Sequence, residues 1–264
     1  MTPITLGPLD LALTASLIVA EAALSLLLGL GIHKQVMIAA ARMVVQLLLV
    51  GYALRLIFAL ASPALTLLAV TLMAIVAVRE IAVRPEQRLA CAGNYTISLA
   101  AVTATTALTA ILALITAIRP QPWWSPQYAI PLVGIVLGSV LNSASLALDH
   151  VLDAARQRRL SIEAQLALGA SFAAATRPLL RGAIRRGTLP IINQMSAAGL
   201  ITLPGIMTGQ ILAGLDPVEA VKYQILLMFL LAGSSVLAGA IIAYLALRRL
   251  TDERDRLRLN RLIS

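Results

Sequence analysis

The sequence is poor in the residues that soluble enzymes and metalloproteins use for chemistry. It holds one cysteine, two histidines and twelve carboxylate side chains in 264 residues. The lone Cys91 cannot form an intrachain disulfide or a cysteine-pair metal site, and His33 and His150 stand far apart. The chain also lacks a G-x-x-x-x-G-K-[ST] phosphate loop and an H-E-x-x-H motif. These absences argue against an enzyme embedded in this chain.

Charge is scarce as well. Only 12% of the residues are charged, against about 25% in an average soluble domain, while 59% are hydrophobic. The apolar residues form seven stretches, each long enough to cross a hydrocarbon core of about 30 Å. We place them at about 9–32, 36–60, 63–80, 89–118, 128–149, 189–214 and 221–248. The sequence therefore predicts an all-α polytopic bundle in a lipid bilayer, with residues 1–264 as one membrane domain.

Basic residues are distributed unevenly between the predicted loops. Seventeen of the 21 lie on one set of alternate loops and the C-terminus, including the predicted basic tail at 249–264. The opposite set holds only Arg55, Arg119 and Lys222. The positive-inside rule then predicts that the N-terminus is outside and the C-terminus cytoplasmic. The membrane is expected to be the inner (plasma) membrane. Topogenic charge thus explains the net charge of +9, and no nucleic-acid partner is implied.

One substantial segment, at about 150–188, lies between the fifth and sixth stretches on the cytoplasmic side. Ser161 can cap a short helix over Ile162–Leu168, Gly169 can take the positive φ that ends it, and Ser171 can cap the next helix. The segment therefore predicts two helices that meet at a sharp corner.

A basic stripe follows on the second of these helices, because Arg177, Arg181 and Arg185 recur every four residues. One interpretation is a surface helix that lies on anionic lipid headgroups. The other interpretation, a contact with a partner protein, depends on the predicted corner at Gly169.

Glu163 and Ala164, followed by Gly169 and by Leu189-Pro190, resemble the E-A-A…G…L-P loop of ABC transporter permeases. This sequence departs from that pattern at Gln165 and by a longer gap before Leu189. In such permeases a short helix docks into the nucleotide-binding subunit. The resemblance implies that Ser161, Glu163, Ala164 and Gly169 couple this chain to a cytoplasmic ATPase.

Three separated segments resemble one family more closely. They are RMVVQLLLVGYALRLIF at 42–58, LSIEAQLALGAS at 160–171 and AAGLITLPGIMTGQILAGLDPVEAVKYQILLMFLL at 197–231. All three are similar to the FetB/YbbM permease family. The resemblance implies a permease homodimer paired with a separate ATPase that binds ATP and Mg²⁺. Bacterial members are linked to iron export, and plant relatives to aluminium tolerance with UDP-glucose as a proposed substrate.

The sixth stretch is predicted to be an interrupted membrane helix, because Leu203-Pro204-Gly205 removes a backbone donor near the membrane centre. Broken backbone at that depth is tolerated only against protein or water, so this stretch should face the bundle interior or a path. A kinked helix whose polar side chains bond to neighbouring helices is the structural alternative. The polar residues around the break are Asn193, Gln194, Thr202, Thr208 and Gln210. Met195 and Met207 offer soft metal ligands, but apolar packing is the favoured role for both, and the metal ligands stay unknown.

Two further groups complete the candidate path. In the fifth stretch, Gly134, Gly138 and Asn142 share one face, which predicts a close-packing seam with another span or a second copy. In the first two stretches, Glu21 lies near mid-membrane and level with Gln46, and Arg42 lies about one turn closer to the cytoplasm. A Glu21–Arg42–Gln46 cluster is either a structural tie or a substrate site, and Arg42 can alternatively snorkel to the interface.

Together with the predicted spans, the family resemblance implies the permease subunit of an ATP-driven ABC transporter that exports iron or another metal ion. A nucleotide sugar such as UDP-glucose is an alternative substrate. Two other classes stay open: an ion-coupled secondary transporter that protonates Glu21, and a membrane scaffold that transports nothing.

Overall fold

The computed structural model describes residues 7–90, 92–252 and 254–263. Cys91 therefore lies outside the described residues. The fold divides into two compact units, Met1–Ser62 and Pro63–Ser264.

The first unit is a helical hairpin of α1 (Pro8–Leu27) and α2 (His33–Leu60). Its short connection is held at Ser25, which is buried. The Ser25 carbonyl accepts the Leu30 N–H at 3.0 Å, and the Ser25 hydroxyl oxygen accepts the Ile32 N–H at 3.2 Å. A tight connection of this kind places two helices antiparallel and side by side.

The second unit carries the rest of the described helices and one small sheet. In chain order its elements are α3 (Pro63–Val83), β1 (Arg88–Leu89), α4 (Gly93–Leu112), a π-helical turn (Ala113–Ile118), α5 (Pro126–Gln157), α6 (Arg159–Ala167), α7 (Phe172–Ala197), α8 (Gly205–Leu212), α9 (Pro217–Arg249), a 3-10 turn (Leu259–Arg261) and β2 (Leu262–Ile263). The fold of this unit is therefore helical, as the sequence predicts.

The core of the second unit lies where α5, α7 and α9 pack against one another, with α3 and α4 alongside. Its largest fully buried side chains include Ile81, Leu148, Leu152 and Ile242. At 1.5 Å rise per residue, the 32-residue α5 and the 33-residue α9 are each about 50 Å long. Both exceed a hydrocarbon core of about 30 Å, so their arginine-bearing ends reach the aqueous interface.

Six helices in the described ranges are long and apolar enough to cross a membrane. They correspond to six of the seven predicted stretches. The other stretch, 189–214, is divided between the end of α7 and α8, so seven is an approximate count. The helix that carries the basic stripe and the first part of this stretch form one continuous helix, α7.

A buried amide joins α3 to α4. The Asn94 side chain donates to the Ala82 carbonyl at 3.0 Å and accepts the Leu89 N–H at 3.1 Å. Leu89 also belongs to β1, which pairs antiparallel with β2. The C-terminal segment is therefore folded against the α3–α4 connection.

Candidate functional site

The break in the sixth stretch begins at Ala198, where the backbone leaves the helical region, and Gly199 follows with φ +83°. The exposed backbone is satisfied locally. The Ala197 carbonyl accepts the Ile201 and Thr202 N–H groups at 3.0 and 3.1 Å, and the Gly199 N–H donates to the Thr202 carbonyl at 2.9 Å. The chain can therefore interrupt a helix here without leaving these groups unpaired.

The structure confirms the predicted interruption of the helix but places the break earlier in the chain. The prediction placed the break at Leu203-Pro204-Gly205, whereas α7 already ends at Ala197. Pro204 instead precedes the first turn of α8. A proline is tolerated at that position because the first helical N–H groups have no intrahelical partner.

A cavity of about 380 Å³ lies at the break, between the end of α7, α8 and α9. Three thioether side chains line it: exposed Met195, half-buried Met207 and buried Met228. Pro204 and Gln224 also line it. Gln224 is 8% exposed, and its side-chain oxygen has no hydrogen-bond partner in the described chain. A buried amide oxygen in that condition is an available acceptor or ligand.

A second, more polar cavity of about 190 Å³ lies between α5, α7 and α9. Asn142 and Gln194 line it together with Ser139, Ser143 and Ser235. The Ser139 and Ser235 hydroxyls are hydrogen-bonded at 2.7 Å. The Ser143 hydroxyl donates to the Ser235 carbonyl. These short polar side chains hold α5 and α9 close together at the cavity wall.

On α7, a glycine allows the backbone to lie close to α5 at the same cavity. A Cβ at Gly187 would lie 2.7 Å from the Ser143 carbonyl oxygen and 3.0 Å from its hydroxyl. In the predicted seam on α5, a Cβ at Gly134 would meet the Met73 side chain of α3 at 2.9 Å, while one at Gly138 would meet no atom within 4 Å. Gly134 therefore packs within the second unit, and Gly138 and Asn142 are exposed.

The structure brings some predicted path residues together and leaves others apart. Asn142 shares a cavity with Gln194, and Pro204 shares one with Met207. The remaining predicted residues of this stretch line neither of these two cavities; they are Asn193, Thr202, Thr208 and Gln210. Asn193 and Thr202 are exposed, and the Thr208 hydroxyl donates to the Pro204 carbonyl at 3.2 Å.

Glu21, Arg42 and Gln46 belong to the first unit. Glu21 lies on α1, the other two lie on α2, and the two helices pack together. All three side chains are exposed. Their joint role as a cluster stays a prediction.

The corner between α6 and α7 has a well-defined backbone geometry. Gly169 has φ +89°, its N–H donates to the Leu166 carbonyl at 3.0 Å, and the Ala170 N–H donates to the Gln165 carbonyl at 3.0 Å. These two hydrogen bonds form a Schellman motif, which ends a helix at a left-handed residue. The predicted helix stop at Gly169 is confirmed.

The two predicted caps at this corner have different outcomes. The Ser171 hydroxyl accepts the Ala174 N–H at 3.3 Å, so Ser171 does cap α7. The capping role of Ser161 is wrong, because α6 begins at Arg159 and Ser161 lies inside it. The earlier start is supported by an ion pair between Arg159 and Glu163, four residues apart, at 2.9 Å.

One face of α6 is held by the core and the other is apolar and exposed. Ile162 is 1% exposed and anchors the inner face. On the outer face, Leu160 and Leu168 are 79% and 88% exposed, and Ala164 lies between them. Their spacing of four residues forms a continuous stripe. We call Leu160, Ala164 and Leu168 the α6 stripe.

The side chains that line the cavity at the break determine which metal ions it could bind. Among the described residues, no group of three or more His, Cys, Asp or Glu side chains could hold a metal ion. Near the break the available donors are thioether sulfurs and an amide oxygen, and thioethers prefer soft cations. Donors of this kind are neutral and bind cations only weakly.

Sequence reasoning missed several of these residues. It did not identify Met228, Gln224, Ser139, Ser143 or Ser235 as cavity-lining residues. The Ser234-Ser235 pair inside an apolar helix was an available signal, because hydroxyls inside membrane helices commonly bond across to a neighbouring helix.

These features define a class of protein. It is an all-α polytopic membrane protein with a broken sixth stretch and a projecting α6 corner. The model of the uncharacterised protein family UPF0014 matches residues 8–251. The chain belongs to this family. The predicted resemblance to FetB-type permeases is thereby confirmed, since FetB is among the relatives.

Relatives occur in bacteria and plants. The chain is 37% identical over 231 residues to the UPF0014 membrane protein slr1647 of Synechocystis, covering 87% of this chain and 88% of the relative. It is 31% identical to the probable iron export permease protein FetB of Escherichia coli, covering 94% and 93%. It is 28% identical to the protein ALUMINUM SENSITIVE 3 of Arabidopsis thaliana, covering 82% and 77%. No solved structure matches the chain.

Proposed function

We propose that this protein is the permease subunit of an ATP-driven ABC transporter that exports iron or another metal ion across the inner (plasma) membrane. A separate cytoplasmic ATPase would bind ATP and Mg²⁺. The substrate class is supported by the probable iron export permease FetB, which aligns over 94% of this chain.

The α6 corner is the observation that carries the proposal. Leu160 and Leu168 are exposed on a short helix just beyond the predicted cytoplasmic end of α5. A contiguous apolar stripe that is exposed at such a position is typical of a surface that contacts another protein or the membrane, and we propose the protein contact here. Ile162 and the Gly169 motif fix α6 against the core, so a force applied to the stripe reaches α5 and α7.

A double change, Leu160→Asp with Leu168→Asp, should abolish co-purification with the ATPase while the chain stays folded. The reason is that two carboxylates would have to be desolvated in an apolar contact. The matched control is Leu160→Met with Leu168→Met, which keeps the surface apolar and should retain the complex. Pull-down from membranes with a tagged ATPase measures both variants.

The alternative for this segment is a helix that lies on lipid headgroups through Arg177, Arg181 and Arg185. In that case the aspartate variant would still bind the ATPase. Replacing the three arginines by glutamine would then be the damaging change, and this pair of results would remove the corner as support for an ABC permease.

The cavity at the helix break is the proposed path for the cargo. Met195, Met207 and Met228 supply sulfur, and Gln224 supplies an oxygen that has no hydrogen-bond partner in the described chain. Because the ligands are neutral and few, an ion can enter and leave without the tight binding of a resident metal.

Gln224→Leu should reduce metal transport without lowering the thermal stability of the protein. The change removes a cavity ligand, but it also removes a buried unpaired oxygen that costs about 1–3 kcal/mol. Gln210→Leu is the matched control, because the Gln210 side-chain oxygen is also buried and unpaired in the described chain but does not line this cavity. Normal transport by Gln224→Leu, or an equal loss in both variants, would contradict this path.

We further propose that the chain acts as a homodimer with its N-terminus outside and its C-terminus cytoplasmic. Beside the cavity at the break, Leu200 and Ile201 are 92% and 81% exposed. A second copy would cover these side chains and close the path from the open side.

A further inference from the structure

The segment that follows α9 has a defined fold. The Arg258 N–H donates to the Leu250 carbonyl at 2.8 Å, and the Ala90 N–H donates to the Arg261 carbonyl at 2.7 Å. β2 pairs with β1 just beyond. These hydrogen bonds fix the backbone on which several arginines stand.

Asp252 organises these arginines. One carboxylate oxygen accepts the Arg254 and Arg256 N–H groups at 3.0 and 2.9 Å, and the other accepts Nε of Arg256 and of Arg258 at 3.0 and 2.8 Å. The hydrogen bond from the Arg256 backbone, helped by that from Arg254, holds the pKa of Asp252 well below its usual range. The carboxylate is therefore ionised and fully engaged in holding the arginines in position.

The arginines line an open cavity of about 810 Å³. Its charged residues are Asp252, Arg248, Arg254, Arg256, Arg258 and Arg261. Among the described residues that line the cavity, one carboxylate faces five guanidinium groups, so this part of the lining carries an excess of positive charge. An anion that shares this space would be attracted by the excess charge, although water and salt screen the guanidinium groups where they are exposed.

Three of these guanidinium groups, those of Arg256, Arg258 and Arg261, make hydrogen bonds that hold the segment together. The other two, those of Arg248 and Arg254, do not. The Arg261 side chain donates to the Arg249 and Thr251 carbonyls at 2.7 and 3.0 Å. Arg248 lies over the Tyr244 ring at 5.7 Å, and Arg254 contacts Asp252 only through its backbone. Within the described ranges, the Arg248 and Arg254 guanidinium N–H groups make no hydrogen bond to another side chain, so they can contact a ligand.

We propose that this cavity binds a phosphate group. Guanidinium groups present paired N–H donors that match the geometry of phosphate oxygens, and several together suit a polyanion. The phosphate can belong to an anionic phospholipid, because the cavity begins at the end of a membrane-spanning helix, or to a soluble phosphate compound. The proposal does not depend on the ABC function.

The test uses the full chain in nanodiscs of phosphatidylcholine, titrated with pyrophosphate and followed by calorimetry. Arg248→Gln with Arg254→Gln should weaken binding about tenfold or more, because two charge-assisted contacts are lost while the Asp252 network is kept. Arg177→Gln with Arg181→Gln removes the same charge from α7 and should leave the affinity unchanged. Absence of binding by the parent, or equal weakening in both double variants, would overturn the proposal.

A second arm identifies the source of the phosphate. In nanodiscs that contain phosphatidylglycerol, a lipid ligand should compete with pyrophosphate and weaken its apparent binding to the parent. Native mass spectrometry should then show retained phosphatidylglycerol on the parent and on the Arg177/Arg181 control, but less on the Arg248/Arg254 variant. Undiminished pyrophosphate binding in these nanodiscs would assign the site to a soluble phosphate instead.

Discussion

Replacing Gly169 by valine should reduce ATP-driven transport by roughly five- to thirtyfold while the membrane helices stay folded. Gly169 has φ +89°, and a Cβ at this position would meet no atom within 4 Å. The cost is therefore one of backbone conformation, about 1–2 kcal/mol, and it acts on the motif that ends α6. The corner would leave the geometry in which we propose that it contacts the ATPase, whereas α5 and α7 keep their packing. Transport assays and circular dichroism on the same preparation measure both effects.

Gly169→Asn is the matched control, because asparagine adopts the left-handed conformation at low cost. It should transport nearly as well as the parent. Equal activity of the valine and asparagine variants would show that the α6 corner does not couple the two subunits.

Gly187→Val should lower the free energy of unfolding by about 1–3 kcal/mol or more. The new Cβ would lie 2.7 Å from the Ser143 backbone oxygen, which cannot rotate away as a side-chain end can. α7 must then move off α5, and the hydrogen-bonded serines on α5 and α9 lose their spacing. The midpoint of thermal unfolding in detergent measures the change.

Gly138→Val provides the comparison on α5, since a Cβ there would meet no atom within 4 Å. This variant should unfold near the midpoint of the parent. If both valine variants lowered the unfolding midpoint equally, the short distance between Gly187 and Ser143 would not be the cause of the destabilisation.

Hydropathy predicts most of the membrane helices well, because it reports the transfer of side chains into lipid. The third stretch was predicted from residue 63, where α3 begins at Pro63. The fifth was predicted to end at 149, but α5 continues to Gln157. A helix can leave the membrane without ending, so a drop in hydropathy does not mark its last residue.

The break at Ala198 could not be predicted in detail for a related reason. Residues on both sides of it are apolar, and the local event is a positive φ at Gly199. Proline is the more visible signal, which is why the break was predicted five residues late. The start of α6 was misplaced because Ser161 has a capping side chain, whereas the Arg159–Glu163 ion pair supports an earlier start.

The Asp252 arginine cluster depends on long-range pairing that a pattern along the chain does not reveal. β1 at Arg88–Leu89 and β2 at Leu262–Ile263 are far apart in sequence. The composition of the tail predicted only that it is basic and cytoplasmic. Which arginines share a cavity follows from the hydrogen bonds of the folded segment.

The most direct test of the proposed function is metal uptake by inside-out membrane vesicles that contain this chain and its ATPase. Uptake of Fe²⁺ or another metal should require ATP, should stop when the catalytic glutamate of the ATPase is replaced, and should be absent with either subunit alone. Uptake by this chain alone, driven by a pH gradient without ATP, would contradict the account and favour an ion-coupled transporter.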